Sequence, residues 1–562
     1  MGLLERPWLK SYEDGIPHSI EYPDVSLGSI LSGVADEFPD KTAIIFYGKK
    51  ISYRELENEV KRLANALIAL GVRKGDRVGL MLPNLPQALI GYYGILKAGA
   101  IVVEISPLYV ERELKHLIAD SGAEVIIALD IFYPRIEAVI NGVHLKAIIL
   151  TGVRDYLPPV LKLIYPIKAK MEGQWIKVKK TRPVYDFKDL IKRSRGDDPC
   201  IDVSAGDTAL LQYTGGTTGI PKGVVLTHRN LMVNLLQCAH WMPALKKGEE
   251  VFLGVIPFFH VYGMTACMNF CIYLASTVVV LPKFKVEEVL KSIARHKTSV
   301  FMGVQAMYVA INNYGKVRDY GLSSIKVCIS GAGPLHAEVQ ERFESLTGGK
   351  LVEGYGLTEA SPVTHCNPIF GMRKKGSIGL PFPDTDARIV DPLDGKKDMP
   401  VGEIGELIVK GPQVMKGYWM KTDETNAVLR DGWLYTGDLA RMDGDGFFYI
   451  VERKKDMIKT GGENVYPREV EEALFRHPKI REAVVVGIPD EFRGELIKAY
   501  IVLKDGESAT VEEITDFCKK EMAGFKVPRA LEFRKELPRT LVGKVLRRVL
   551  LEEELQKGKR KI

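Results

Sequence analysis

The stretch Thr208-Ala-Leu-Leu-Gln-Tyr-Thr-Gly-Gly-Thr-Thr-Gly-Ile-Pro-Lys-Gly-Val-Val-Leu-Thr227 decides how the rest of the chain is read. Thr208–Tyr213 and Val224–Thr227 read as strands, Arg229–Ala239 as a helix, and the residues between the strands as a loop. Gly215, Gly216 and Gly219 let backbone N–H groups close around an anion. The hydroxyls of Thr214, Thr217 and Thr218 donate to phosphate oxygens or ligate magnesium, and Lys222 adds a point charge. The loop is not a Walker A sequence, because GxxxxGK[ST] has no match. Taken alone, its density of donors favours a phosphate-binding loop over a plain Gly/Thr turn.

On both sides of this stretch a short apolar run is followed by a helical pattern, repeatedly. Arg77–Met81, Ala100–Ile105 and Glu124–Leu129 read as strands, with Pro86–Lys97 and Glu111–Ser121 as the helices between them. Downstream, Phe252–Pro257, Thr277–Leu281, Ser299–Met302, Lys326–Ser330 and Leu351–Glu353 are strand candidates, interleaved with helices at Val286–His296 and His336–Thr347. This alternation predicts α/β architecture with parallel sheets. After about Pro381 short strands and Asp-Gly turns predict a β-rich subdomain to about residue 452. Beyond a charged VERKKD stretch, strands and helices form an α+β unit of ordinary domain size.

The chain has 562 residues, enough for three or four folding units at ~150 residues each. It is 46% hydrophobic and 27% charged, which excludes disorder and coiled coil as whole-chain descriptions. Seven cysteines with no CxxC indicate neither a disulfide framework nor a zinc knuckle. Reduced thiols and an N-terminus without an apolar h-region predict a cytoplasmic protein. Val251 to Pro282 carries no Asp, Glu, Lys or Arg, long enough for a membrane span, but Gly254, Pro257, His260 and Gly263 break it up. Buried core is the expected reading. Of the net charge of +7, +5 lies from Arg453 onward, where 25 Lys/Arg face 20 Asp/Glu. A second basic stretch, Lys146 to Arg195, has 13 Lys/Arg against 4 Asp/Glu. No aromatic-basic module for nucleic acid is present.

Further motifs follow the loop in order. Gly331-Ala-Gly-Pro-Leu335 and Gly354-Tyr-Gly-Leu-Thr-Glu359 each follow a strand, where open sheets bind ligands. Pro257-Phe-Phe-His-Val-Tyr-Gly263 lies in the uncharged stretch, Tyr435-Thr-Gly-Asp438 in a turn, and Pro538-Arg-Thr-Leu-Val-Gly-Lys-Val545 near the end. In this order over more than 300 residues, these motifs resemble those of the adenylate-forming enzymes: acyl-CoA synthetases, luciferases and the adenylation domains of peptide synthetases. Over nearly its full length the chain resembles the fatty acyl-CoA synthetases in particular.

The resemblance implies a large N-terminal domain (residues 1–452), a hinge at 453–456 about Lys455, and a mobile C-terminal lid domain (457–562). It implies that Gly331, Ala332, Gly333, Glu353, Gly354, Tyr355, Gly356 and Thr358 wall the nucleotide and acyl pockets. Glu359 and Thr214 would hold magnesium. Asp438 and Arg453 would take the ribose hydroxyls, and Lys544 would be the adenylation lysine. His260 would gate the carboxylate, with Tyr262, Gly263, Met264, Met302 and Val304 toward the acyl tail, although plain core packing explains the methionines as well. Lys459 and Gly462 would face the site during thioester formation. ATP and coenzyme A are the implied co-substrates, and the reaction runs through acyl-AMP.

No acidic residue lies between Glu250 and Lys283 to hold a substrate ammonium, so an uncharged tail is expected rather than an amino acid. Gln305 stands where many relatives have proline, and Met264 where some have a bulkier gating residue, which leaves chain length open. Alternatives are a ligase for a medium-chain or aryl acid, an acyl-AMP ligase loading a carrier protein, and a nucleotide- or acyl-binding sensor. A monomer or homodimer is expected. Leu157–Lys180 mixes Leu, Ile, Trp and Lys, and reads equally as an exposed basic insertion or as a contact with the inner membrane face.

Overall fold

A computed structural model describes residues 6–173, 176, 178, 184–214, 221–460, 463–490, 492–539 and 545–559. The chain packs as two compact units. The larger comprises Leu9–Asp386 with Lys410–Gly432, and the smaller comprises Ala387–Val409 and Trp433–Ile562 with the N-terminal residues through Trp8.

The larger unit holds two sheets. In the first, Lys350–Gly356, Val327–Ser330, Val300–Gly303, Val251–Gly254, Thr277–Val280 and Thr42–Phe46 run parallel in that order. Antiparallel strands finish both edges: Lys49–Ser52 on one side, Val363–Cys366 and Leu380–Pro381 on the other. In the second, Thr208–Thr214, Ile101–Glu104, Arg77–Met81, Val125–Leu129, Ala147–Thr151 and Val184–Asp186 are parallel, and Lys222–Thr227 and Gly417–Tyr418 add antiparallel strands. Parallel strands covered on both faces need apolar residues throughout, and Val125–Leu129 and Ala147–Thr151 are buried along their whole length.

Local signals start the helices. Ser52 and Glu55 form a capping box on Tyr53–Ala69, and Thr227 with Asn230 does the same on His228–Trp241. Tyr53–Ala69 buries Leu56, Val60, Leu63 and Leu67, the 3–4 spacing of one helix face. The uncharged Val251–Pro282 stretch is core, as expected. It runs from strand Val251–Gly254 through a π-helical segment, Gly263–Asn269, into helix Phe270–Tyr273 and strand Thr277–Val280. Among the described residues no helix is long and apolar enough to cross a membrane.

The smaller unit holds an antiparallel sheet that includes Gly405–Lys410, Trp433–Met442 and Phe448–Arg453. It also holds a sheet of Ile458–Thr460, Glu463–Val465, Ile480–Asp490, Gly494–Leu503 and Ala530–Phe533. Side chains alternate across this second sheet, so Val485, Ile497, Ala499 and Ile501 join Val470, Leu474 and Ile514 in one core. Val484, Val486, Tyr500 and Val502 pack with Leu550 in another. All seven cysteines are free; six are buried and Cys200 is exposed.

Candidate active site

In the larger unit, strand Thr208–Thr214 carries Thr214 to the mouth of the glycine loop, opposite Lys222 in the antiparallel register. Gly215, Gly216, Thr217, Thr218 and Gly219 lie outside the described residues. Lys222 Nζ sits 5.3 Å from the centre of the Tyr418 ring. The Tyr418 hydroxyl donates to Glu359 Oε1 at 2.8 Å. Burial, and then the Glu359 charge, push the Tyr418 phenol far above its ordinary pKa, so it remains a donor. Two backbone bonds bring this segment to the site: Met415 N donates to the Glu359 carbonyl at 2.8 Å and Trp419 N to the Gly223 carbonyl at 2.7 Å. The structure thus gathers Thr214, Lys222 and Glu359 with Tyr418, which sequence reasoning missed. The Gly-Tyr-Trp segment has no charge pattern or glycine spacing to mark it.

Thr358 and Glu359 occupy a short 3-10 turn, Thr358–Ala360, after strand Lys350–Gly356. That strand also carries Glu353, which is 6% exposed, and its Oε2 accepts from Leu335 N at 2.9 Å. The carboxylate therefore ties down the Gly331–Leu335 loop, in which Ala332 adopts a left-handed φ of 62° and Gly333 is exposed. Gln305 Oε1 accepts from His336 N at 2.6 Å and holds the loop's far end. Gly331 is needed for packing, because a Cβ there would stand 3.0 Å from the Tyr262 ring. Tyr262 is buried, and its hydroxyl donates to the carbonyls of Ile329 (2.9 Å) and Gly303 (3.3 Å). Gly354 and Gly356 pair with Cys366 and Val363, and Tyr355 meets His365 edge to face.

At the gate motif, His260 Nδ1 accepts from Tyr262 N at 3.2 Å, which leaves the proton of a neutral ring on Nε2. Gln212, from the strand of the glycine loop, donates through Nε2 to the Phe259 carbonyl at 3.1 Å, and its buried Oε1 has no partner among the described residues. Gly263 admits no side chain: a Cβ would lie 2.1 Å from the Pro257 carbonyl oxygen. Met264, Met302 and Val304 are buried.

In the smaller unit, Asp438 and Arg453 face each other on neighbouring strands, with Arg453 Nε 2.7 Å from Asp438 Oδ1. Lys455 is exposed in the turn after Arg453, where Asp456 N donates to the Arg453 carbonyl. Lys459 is exposed on strand Ile458–Thr460, and its N–H donates to Glu495 Oε2 at 2.6 Å. Gly462 and Lys544 lie outside the described residues. Beside the turn, the buried Glu452 accepts from Arg547 Nη1 and Arg468 N, each at 2.9 Å. Arg547 also holds Glu471, at 2.7 Å.

The donors near Glu359 suit a hard cation: one carboxylate, hydroxyl oxygens and a tyrosine holding one carboxylate oxygen in place. Among the described residues no three His, Cys, Asp or Glu side chains converge, so an ion here would draw further ligands from phosphate and water.

The architecture and these motifs together define a nucleotide-using α/β enzyme class. The chain belongs to the AMP-binding enzyme family, whose main domain matches residues 31–419 and whose C-terminal domain matches residues 469–544. It is 51% identical to a long-chain-fatty-acid–CoA ligase of Bacillus subtilis (strain 168) over 98% of this chain and 99% of that one. A protein of the same name from Yersinia pestis is 40% identical over 99% of each chain. Among solved structures, ATP-bound MatB from Rhodopseudomonas palustris has a TM-score of 0.82 and 29% identity, covering 94% of this chain and 99% of that one.

Proposed function

We propose that the protein is an AMP-forming fatty acid–CoA ligase. The observation that carries this reading is its likeness, over nearly the full length, to relatives named long-chain-fatty-acid–CoA ligase. In the first half-reaction a carboxylate oxygen of the acid attacks the α-phosphorus of ATP. The new P–O bond gives acyl-AMP as the bond to pyrophosphate breaks. In the second, the coenzyme A thiol loses its proton, its sulfur attacks the acyl carbon, and AMP leaves. Both steps depend on positioning and charge stabilisation.

The loop from Thr214 to Lys222 cradles the phosphates, and Lys544 steadies the α-phosphate as its charge develops. Glu359, oriented by Tyr418, and Thr214 would hold magnesium, which when bound neutralises phosphate charge. Asp438 accepts from the ribose hydroxyls, with Arg453 beside it. Gly331–Gly333 and Glu353–Thr358 form the walls of the nucleotide pocket. His260 faces the carboxylate, while Tyr262, Gly263, Met264, Met302 and Val304 favour an uncharged tail over an amino acid. The lobe beyond residues 453–456 pivots at Lys455, presenting Lys544 first and Lys459 with Gly462 second. The protein works in the cytoplasm or at the inner membrane face, where long-chain acids partition.

The test is ATP–pyrophosphate exchange over acids from acetate to palmitate, with aryl acids included. Exchange is expected to be highest with a fatty acid, and absence of acid-dependent exchange would favour a sensor. Lys544→Ala should abolish most exchange yet leave thioester formation from supplied acyl-AMP nearly intact.

A further inference from the structure

Helix Pro159–Met171 presents an unusual outer face. Val160 is 67% exposed, Leu163 80%, Ile164 53%, Ile167 63% and Met171 83%. Their spacing of 3, 1, 3 and 4 residues puts all five on one side of an α-helix. The opposite side holds Ala169, which is buried, and Tyr165, which is half-buried. Scattered exposed aliphatics are ordinary, but five on one stripe are not. A helix of 13 residues, about 20 Å long at 1.5 Å per residue, is too short to span a bilayer and long enough to lie along one.

Lysines flank the stripe. Lys162 and Lys170 are exposed on the same helix. At its N-terminal approach the Tyr156 ring carries Lys49 Nζ at 5.0 Å and Lys188 Nζ at 4.3 Å. These cations share one neighbourhood, since Lys188 and Lys162 both help to lower the pKa of Lys49, after burial. Glu59 pairs with Lys188 at 2.8 Å, and Glu59 and Glu55 both offset the lysine charge at Lys49, while Asp130, Asp155 and Glu172 lie near Tyr165 on the inner side of the helix. Long lysine side chains beside an apolar stripe can reach phosphate headgroups while the stripe enters the acyl boundary.

We infer that this helix is a docking face for an anionic lipid bilayer, lying flat with Val160, Leu163, Ile164, Ile167 and Met171 in the acyl boundary and the lysines at the headgroups. The choice of a bilayer, rather than another partner, rests in part on the fatty-acid reading above. The charge around the stripe favours an anionic surface, and a second copy of this chain would bring like charge against it.

The test uses the full chain and flotation with phosphatidylcholine vesicles containing 30% phosphatidylglycerol or none. The protein should float with the anionic vesicles and at least tenfold less with the neutral ones. The pair Leu163→Glu and Ile167→Glu should lose flotation, while exchange with a soluble short acid stays within twofold of the parent, showing that the fold is intact. Lys162→Glu with Lys170→Glu should lose the preference for phosphatidylglycerol. Equal flotation with both vesicles, or flotation that survives Leu163→Glu with Ile167→Glu, would overturn the inference. So would a parent protein that is dimeric without lipid, does not float, and becomes monomeric in that double variant, because the face would then join two chains. If flotation holds but no fatty acid supports exchange, the fatty-acid reading fails and the docking face stands.

Discussion

At Glu359 one carboxylate oxygen is already committed, because it accepts from the Tyr418 hydroxyl. Removing that hydroxyl leaves the carboxylate free to rotate. With the magnesium role proposed for Glu359, Tyr418→Phe should therefore raise the magnesium concentration needed for half-maximal exchange, or lower activity, on the order of 10- to 100-fold, the usual effect of losing a hydrogen-bond partner behind a metal ligand. A magnesium titration of exchange checks this, and an unchanged curve would remove Tyr418 from the site. Gly263 offers a different test. A methyl group there would collide with the Pro257 carbonyl, so Gly263→Ala should cost about 1–3 kcal/mol of stability, read from a denaturant midpoint. The sequence marks Gly263 only as the end of a motif, since nothing in the chain states that a carbonyl six residues earlier folds back against it.

Among the elements, the pairs joining Phe448–Arg453 to the helices that follow Lys455 are the most exposed to experiment. Glu452 precedes the turn carrying Lys455, whereas Arg468, Glu471 and Arg547 follow it. Burial raises the Glu452 pKa, and Arg547 opposes that shift by favouring the charged form. Arg547→Met should change the ratio of adenylation to thioester formation by roughly 5- to 30-fold, as expected for one or two kcal/mol of charge-assisted bonding. Equal loss in both half-reactions, with normal melting, would count against a link to lobe movement. Most of the parallel strands were legible from their apolar runs, because burial on both faces removes any polar alternation, but Ala147–Thr151 and the partly exposed Val184–Asp186 were not marked as strands. The hairpin Thr42–Phe46 with Lys49–Ser52 and the two-residue strand Gly417–Tyr418 were not legible. Edge pairs carry mixed side chains, and a two-residue strand has no periodicity to detect. The π-helical turn at Gly263–Asn269 was likewise hidden, since its sequence reads as an ordinary apolar helix.

For the whole molecule, two buried histidines set an acid limit. Burial lowers the pKa of His228 to about 4 and that of His365 to about 3. An unfolded histidine takes its proton near pH 6.5, so between about 6.5 and 4 the unfolded chain binds more protons than the fold. Stability is therefore full above about pH 6.5 and falls as the pH drops, by about tenfold in the folding constant per pH unit for each ring. His228 Nδ1 accepts from Leu27 N at 3.2 Å, and asparagine offers an oxygen acceptor of similar reach. His228→Asn should flatten the pH dependence of the urea midpoint between pH 7.5 and 5, and parallel curves would refute the assignment. The thiols bear on how the molecule can be watched. Alkylation requires thiolate, and burial holds Cys238 and Cys267 near pKa 12 and Cys518 near 11. A maleimide dye at neutral pH should therefore label one equivalent quickly, at Cys200, with the other six reacting only after denaturation. The native chain thus carries a single fluorophore attachment point in its larger unit, so the lobe movement proposed above can be tested by energy transfer from a dye placed there without first removing other cysteines.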